Sequence, residues 1–199
     1  MSHRVQHQRD QGYYIGFLGS IAIALAFLML MYALTFPIDS EDSFVYMSLL
    51  GVVGLAAGFA MVGFKIQPLD FKRLTMTVMW SGVSFCLIYL VNAWVPVRIT
   101  IAAPYGETMF SVLAGVAEEL FFRVWLCTFI YKFSHSMILS AGVSGGIWAL
   151  YHINRYGGNM NLLFMIAIVG FIQGLIMLYS RMADGPIFGH MLVNYLATT

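Results

Sequence analysis

Residues 108–131 read TMFSVLAGVAEELFFRVWLCTFIY, an apolar run with two adjacent glutamates, Glu118 and Glu119, and an arginine, Arg123, near its centre. A charge at the middle of a bilayer costs roughly 2.5–3.5 kcal/mol on insertion scales, so three together persist only where they pair and hydrate. Folding alone does not ask for them, and a chain that keeps such a cluster is expected to use it.

The composition makes lipid the solvent. Of 199 residues, 60% are hydrophobic and 10% charged, with a mean hydropathy of +0.82, where a soluble domain carries about 25% charged residues. The uncharged runs 11–38, 43–64, 74–97 and 156–180 are each long enough to cross about 30 Å of hydrocarbon as helices. Residues 108–131, 136–152 and 186–199 add three less pure or shorter spans. The expected fold is therefore all-α, a polytopic transmembrane bundle of about seven helices around an intramembrane polar site. Residues 1–10 are polar and lack the apolar core and small-residue cleavage site of a signal peptide, so the first span is expected to be retained.

Charge placement orients the bundle. With a cytoplasmic N-terminus, Arg4, Arg9, Lys65, Lys72, Arg73, Lys132 and Arg181 fall on the cytoplasmic side, and Arg98, Arg155, Asp39, Glu41, Asp42 and Glu107 fall opposite. The net charge of +1 points to neither a nucleic-acid partner nor a polybasic lipid-binding tail. Cys86 and Cys127 lie in separate spans and suggest packing rather than a disulfide or a zinc pair.

With no long linker, low-complexity tract or repeat, residues 1–199 read as one integral-membrane domain. Its breaks fall at Pro37 to Asp42, Lys65 to Arg73 around Pro68, Pro96 to Glu107 around Pro104, and Asn154 to Asn161. The last is Asp184-Gly185-Pro186, with a helix able to start at the proline. Gly54 and Gly58, and likewise Gly142 and Gly146, stand four apart and predict close helix packing.

Glu119 and Arg123 are four apart and meet on a helix, whereas Glu118 projects about 100° away. One glutamate is thereby neutralised and the other left free. His152 follows Trp148 by four residues, and Asn194 follows His190 by the same spacing. Each of these groups also has a structural reading. A Glu–Arg pair can lock two helices, a lone His152 can cap a helix end, and His190 with Asn194 can be interhelical glue. Glu118 resists that reading, because a second carboxylate beside the first raises the cost of ionising either. Taken together they supply what hydrolysis needs: a carboxylate base, an imidazole to orient water and two donors for an oxyanion. Gln173, Ser81, Ser84 and Thr77 are read as packing groups.

Glu118-Glu119-Leu-Phe-Phe-Arg123 reads as EExxxR, Trp148-Ala-Leu-Tyr-His152 as FxxxH with Trp in the Phe position, and His190-Met-Leu-Val-Asn194 as HxxxN. Three such motifs in this order resemble the CPBP family, the CAAX proteases and bacteriocin-processing enzymes also called ABI proteins, over residues 107–199. The resemblance implies a metal-independent intramembrane glutamate protease in which Glu118 and His152 activate water. His190 and Asn194 would form the oxyanion hole, and Glu119 with Arg123 would support the site. It also implies a peptide or protein substrate, prenylated or not, a lipid-bilayer setting, and, for so short a chain, a prokaryotic cell membrane.

Competing chemistries are weaker. Two His and two Glu are plausible zinc ligands, but no HExxH occurs, so zinc ranks below a site without cofactor. Gly142-Val-Ser144-Gly145 has the GxSG form of rhomboid serine proteases, yet here the HxxxN follows the serine instead of preceding it. An immunity or scaffold protein with a silent site, and a small transporter using Glu118 as proton carrier, are the non-proteolytic alternatives. Depth is the geometric difficulty: counted along a simple hairpin, His190 falls roughly 15–20 Å from Glu118.

Overall fold

Helix ends fall where the sequence supplies caps and left-handed turns. The computed structural model describes residues 13–15, 19, 21, 23, 24, 41–66, 71–94, 105–153 and 159–198. Helix α1 spans Glu41–Ala57 and runs into a π-helical turn, Gly58–Val62; α2 spans Phe71–Trp94. Helix α3, Tyr105–Glu119, continues through a π-helical segment, Leu120–Cys127, into α4, Thr128–Ser134; then come α5, Met137–Tyr151, α6, Met160–Ser180, and α7, Asp184–Thr198.

His135 at φ 53° stops α4, and the Ser136 side chain caps α5 by accepting the Leu139 N–H. Asn159 caps α6 in the same way, and Arg181 at φ 59° ends it. Helix α7 begins at Asp184, two residues before the expected proline start, so Pro186 sits in the first turn, where its missing N–H costs nothing.

The fold is not purely helical. Strands β1, Tyr14–Ile15, and β2, Lys65–Ile66, pair in parallel, and Tyr14 also bridges to Met182. Tyr14 N–H donates to the Arg181 carbonyl, Ala183 N–H to Tyr14 and Lys65 N–H to Tyr13, at 2.9–3.0 Å. These short pairings satisfy backbone groups that the helix ends leave open, and so join three chain connections at one end of the bundle.

Most of the first expected span, 11–38, lies outside the described residues, so about seven spans stay an expectation. Arg4, Arg9, Asp39, Arg98, Arg155, the breaks at Pro37, Pro68 and Pro104, and most of the 154–161 loop lie outside them too, as do the side chains of Glu41, Asp42, Arg73 and Glu107. Among the described residues, Leu74–Val91 and Met160–Ser180 are long and apolar enough to cross a membrane. Their surroundings are inverted relative to a soluble domain: Phe71, Ile138, Met160 and Phe164 are exposed, while Glu118, Glu119, Arg123, Gln173 and Asp184 are buried.

The broadest packing joins α5 to α6, and α7 lies against both α2 and α3. Small residues set these distances. A Cβ at Gly54 would stand 2.5 Å from Phe121 backbone atoms, and one at Gly58 2.8 Å from Val124. The expectation for Gly142 and Gly146 needs correction. Among the described residues, neither has an atom within 4 Å of a would-be Cβ; their neighbour Gly145 meets Ala167 and Phe171 backbone at 2.7–2.8 Å. Helix α5 is thus rotated so that the middle glycine faces α6. Across α2 and α6, Ser84 Oγ donates to Gln173 Oε1 at 2.8 Å, a polar clamp that agrees with the packing reading of both residues.

Gly54→Ala is expected to lower stability by about 1–3 kcal/mol, because the helices must separate. Gly142→Ala is expected to be close to neutral; thermal unfolding in detergent of the two variants side by side checks the assignment of packing faces.

Candidate active site

Glu118, Glu119 and Arg123, from the end of α3 and its π-helical continuation, are buried inside the protein. Glu119 and Arg123 are 0% exposed, and Arg123 Nε lies 3.4 Å from Glu119 Oε2. The pairing predicted from the four-residue spacing is present across the α-to-π junction. The π-helical segment carries extra carbonyl acceptors along this run, and side-chain hydroxyls take them. Ser144 Oγ on α5 donates to the Phe122 carbonyl at 2.6 Å, and Thr128 Oγ1 donates to the carbonyls of Val124 and Trp125. Ser144, buried and committed to a backbone carbonyl, behaves as a packing group.

Three helices bring the polar side chains together. Helix α3 supplies Glu118, the end of α5 supplies His152, and the first half of α7 supplies His190. His152 Nε2 lies 3.8 Å and His190 Nε2 4.0 Å from Glu118 Oε2. The depth gap counted along a simple hairpin is therefore absent. Met182, Ala183 and Asp184 are buried, so the α6–α7 turn is sunk into the bundle and α7 starts inside it. Asp184 Oδ1 accepts the Gly19 N–H at 2.8 Å and helps hold that turn.

The outer nitrogens of both imidazoles are fixed. His152 Nδ1 lies 2.8 Å from the Trp148 carbonyl, an acceptor only, so this nitrogen carries the proton. His190 Nδ1 donates to Glu119 Oε1 at 2.8 Å. Each ring therefore turns its Nε2 toward Glu118. Glu119 serves two groups at once, Arg123 and His190.

Asn194 lies one turn beyond His190, and its Nδ2 donates to the Ser111 carbonyl at 2.8 Å. A would-be Cβ at Gly115 would come 3.2 Å from Asn194 Nδ2 and 3.4 Å from the His190 ring. Gly115 therefore gives α7 room to approach α3 at the site.

Two contributors escaped the sequence reading, Gly115 and the indole nitrogen of Trp148. Trp148 Nε1 donates to Glu118 Oε2 at 2.6 Å, so Glu118 has a neutral donor besides the two imidazoles. The indole also lies edge-on to His152 and His190, with ring centroids 5.1 and 5.4 Å apart, and Arg123 Cζ sits 4.2 Å from its ring centroid. The Trp-for-Phe change in the second motif was the visible signal, since only Trp brings an N–H. Among the described residues, no group of three or more His, Cys, Asp or Glu is arranged to hold a metal ion.

Residues 106–196 match the family model described as type II CAAX prenyl endopeptidase Rce1-like. The likeness to the CAAX proteases thus covers 91 of the 199 residues and supports the resemblance carried by the three motifs. No curated protein and no solved structure matches the chain. That family consists of integral membrane proteases. The match contains all six polar side chains named from the motifs.

Glu119→Ala orphans both Arg123 and His190 and is expected to cost about 3–5 kcal/mol. Glu118→Ala leaves an indole N–H unpaired and is expected to cost about 1–3 kcal/mol. Thermal unfolding in detergent separates the two, and equal losses would contradict the division of labour between these carboxylates.

Proposed function

We propose that the chain is an intramembrane endopeptidase in which Glu118 activates water for attack on a peptide carbonyl. The observation that supports it most is the approach of two imidazole Nε2 atoms, at 3.8 and 4.0 Å, to one carboxylate oxygen, with both Nδ1 atoms already committed elsewhere. A water about 2.8 Å from both Glu118 Oε2 and His152 Nε2 fits that spacing. Its oxygen attacks the carbonyl carbon while its proton passes to Glu118.

The carbonyl oxygen becomes an oxyanion facing α7. In this reading His190 and Asn194, on the same face of α7, are the donors assigned to it. Glu119 orients His190 through Nδ1, so its carboxylate supports the reaction without touching substrate. Collapse of the tetrahedral intermediate breaks the C–N bond, and the proton held by Glu118 goes to the leaving amine. No step requires a metal.

The family description makes a prenylated CAAX tail the first substrate to try, with an unprenylated peptide as the alternative. We further propose that residues 1–199 form one domain in a prokaryotic cell membrane. Lys65, Lys132 and Arg181 gather at the end where β1, β2 and the α6 terminus meet; Lys132 Nζ donates to the Met61 carbonyl there. The positive-inside rule assigns that end to the cytoplasm.

The test is cleavage of a farnesylated CAAX peptide and its unprenylated counterpart by the full-length chain in lipid. Glu118→Gln is expected to lower kcat by about 10²–10⁴-fold. Excess EDTA, and Ser144→Ala, are expected to leave cleavage in place. Loss with EDTA and recovery with zinc would make Glu118, His152 and His190 metal ligands, and loss in Ser144→Ala would make that serine the nucleophile.

A further inference from the structure

Trp148 is the point where Glu118, His152, His190 and Arg123 converge. Its Nε1 reaches Glu118 Oε2 at 2.6 Å, its carbonyl holds His152 Nδ1 at 2.8 Å, and its ring lies edge-on to both imidazoles. The other face of the problem is Arg123. Its Cζ stands 4.2 Å from the indole centroid, and its Nη1 and Nη2 find no hydrogen-bond acceptor among the described residues.

That arrangement bears on which carboxylate the cation serves. Arg123 is a fixed positive charge with both glutamates within reach of the same helical turns. Were it to pair with Glu118, it would neutralise the base and fill the lone pairs that a water proton must use. The ring instead offers the guanidinium a π face, while the ring edge gives Glu118 a neutral donor. Glu119 keeps the cation.

We propose that Trp148 is the positioning residue of this site: its N–H fixes the Glu118 carboxylate, and its ring holds Arg123 away from that carboxylate and on the side of Glu119. The inference rests on Glu118 being the base. A phenylalanine here, as in the FxxxH pattern, keeps the second function and lacks the first. In this chain the carboxylate orientation therefore depends on a group that the aromatic position of the motif does not by itself demand. Gly170 makes the arrangement possible, since a Cβ there would fall 2.8 Å from Trp148 Cε3 and 3.3 Å from Arg123 Nη2.

The experiment uses the full-length chain in lipid nanodiscs with ¹⁵N-labelled indoles. The Trp148 indole proton, identified by its loss in Trp148→Phe, is expected downfield of the other three indoles and to move upfield in Glu118→Ala. An unmoved resonance in Glu118→Ala overturns the inference whatever the kinetics. On the farnesylated peptide, Trp148→Phe is expected to lower kcat about 10–100-fold with KM within about threefold, as for a hydrogen bond to a charged group. Trp148→Leu, which also removes the π face, is expected to lose thermal stability that Trp148→Phe retains. An unchanged kcat in Trp148→Phe beside an inactive Glu118→Gln overturns the positioning role alone. Full activity in Glu118→Gln, or no cleavage by the unaltered chain, counts against the protease mechanism instead, and the indole resonance still decides the contact.

Discussion

A guanidinium that is 0% exposed in the middle of a buried helical segment is the constraint around which this protein is arranged. An uncompensated charge at such a site costs several kcal/mol, so Arg123 must bring a counterion, and Glu119 one turn earlier supplies it. The Trp148 ring adds a π face 4.2 Å from the guanidinium carbon, while Nη1 and Nη2 have no hydrogen-bond acceptor among the described residues. That ring contact in turn fixes the end of α5, and with it His152. Glu119 then reaches across to His190 and fixes α7. The buried pair thus aligns three helices before any chemistry is considered.

The backbone carries the same theme. A π-helical segment from Leu120 to Cys127 places Arg123 inside the bundle and leaves carbonyls that hydroxyls of Ser144 and Thr128 serve. In hydrocarbon such acceptors have no water to fall back on, so an irregular segment survives only where side chains close it. Gly54, Gly58, Gly115, Gly145 and Gly170 admit the neighbouring helices, the Trp148 ring and Arg123 at distances a methyl group would obstruct. Those contacts bring Glu118, His152 and His190 to one point.

Charge placement and spacing made much of this legible from the chain. Four-residue separations announced the Glu119–Arg123 pair and the Trp148–His152 contact, and three ordered motifs pointed to the family that residues 106–196 match. Spacing along one helix cannot report rotation about its axis, which is why Gly142 and Gly146 were read as the packing face in place of Gly145. Nor can it report a turn that is buried within the bundle. His190 was displaced on paper by roughly 15–20 Å because α7 was assumed to begin at the bundle's edge, whereas Asp184 is buried. The parallel pairing of Tyr14–Ile15 with Lys65–Ile66 was invisible for another reason: two-residue strands leave no period-two pattern to read.

The most direct measurement is a high-resolution structure of the full-length chain in lipid with a peptide whose scissile carbonyl is a difluoroketone, which hydrates to a tetrahedral gem-diol. If Glu118 delivers the water, one hydroxyl will lie within about 3 Å of a Glu118 carboxylate oxygen, and the other within about 3 Å of His190 Nε2. A hemiketal bonded to a side chain such as Ser144, or a gem-diol bound away from Glu118, would contradict a glutamate-activated water.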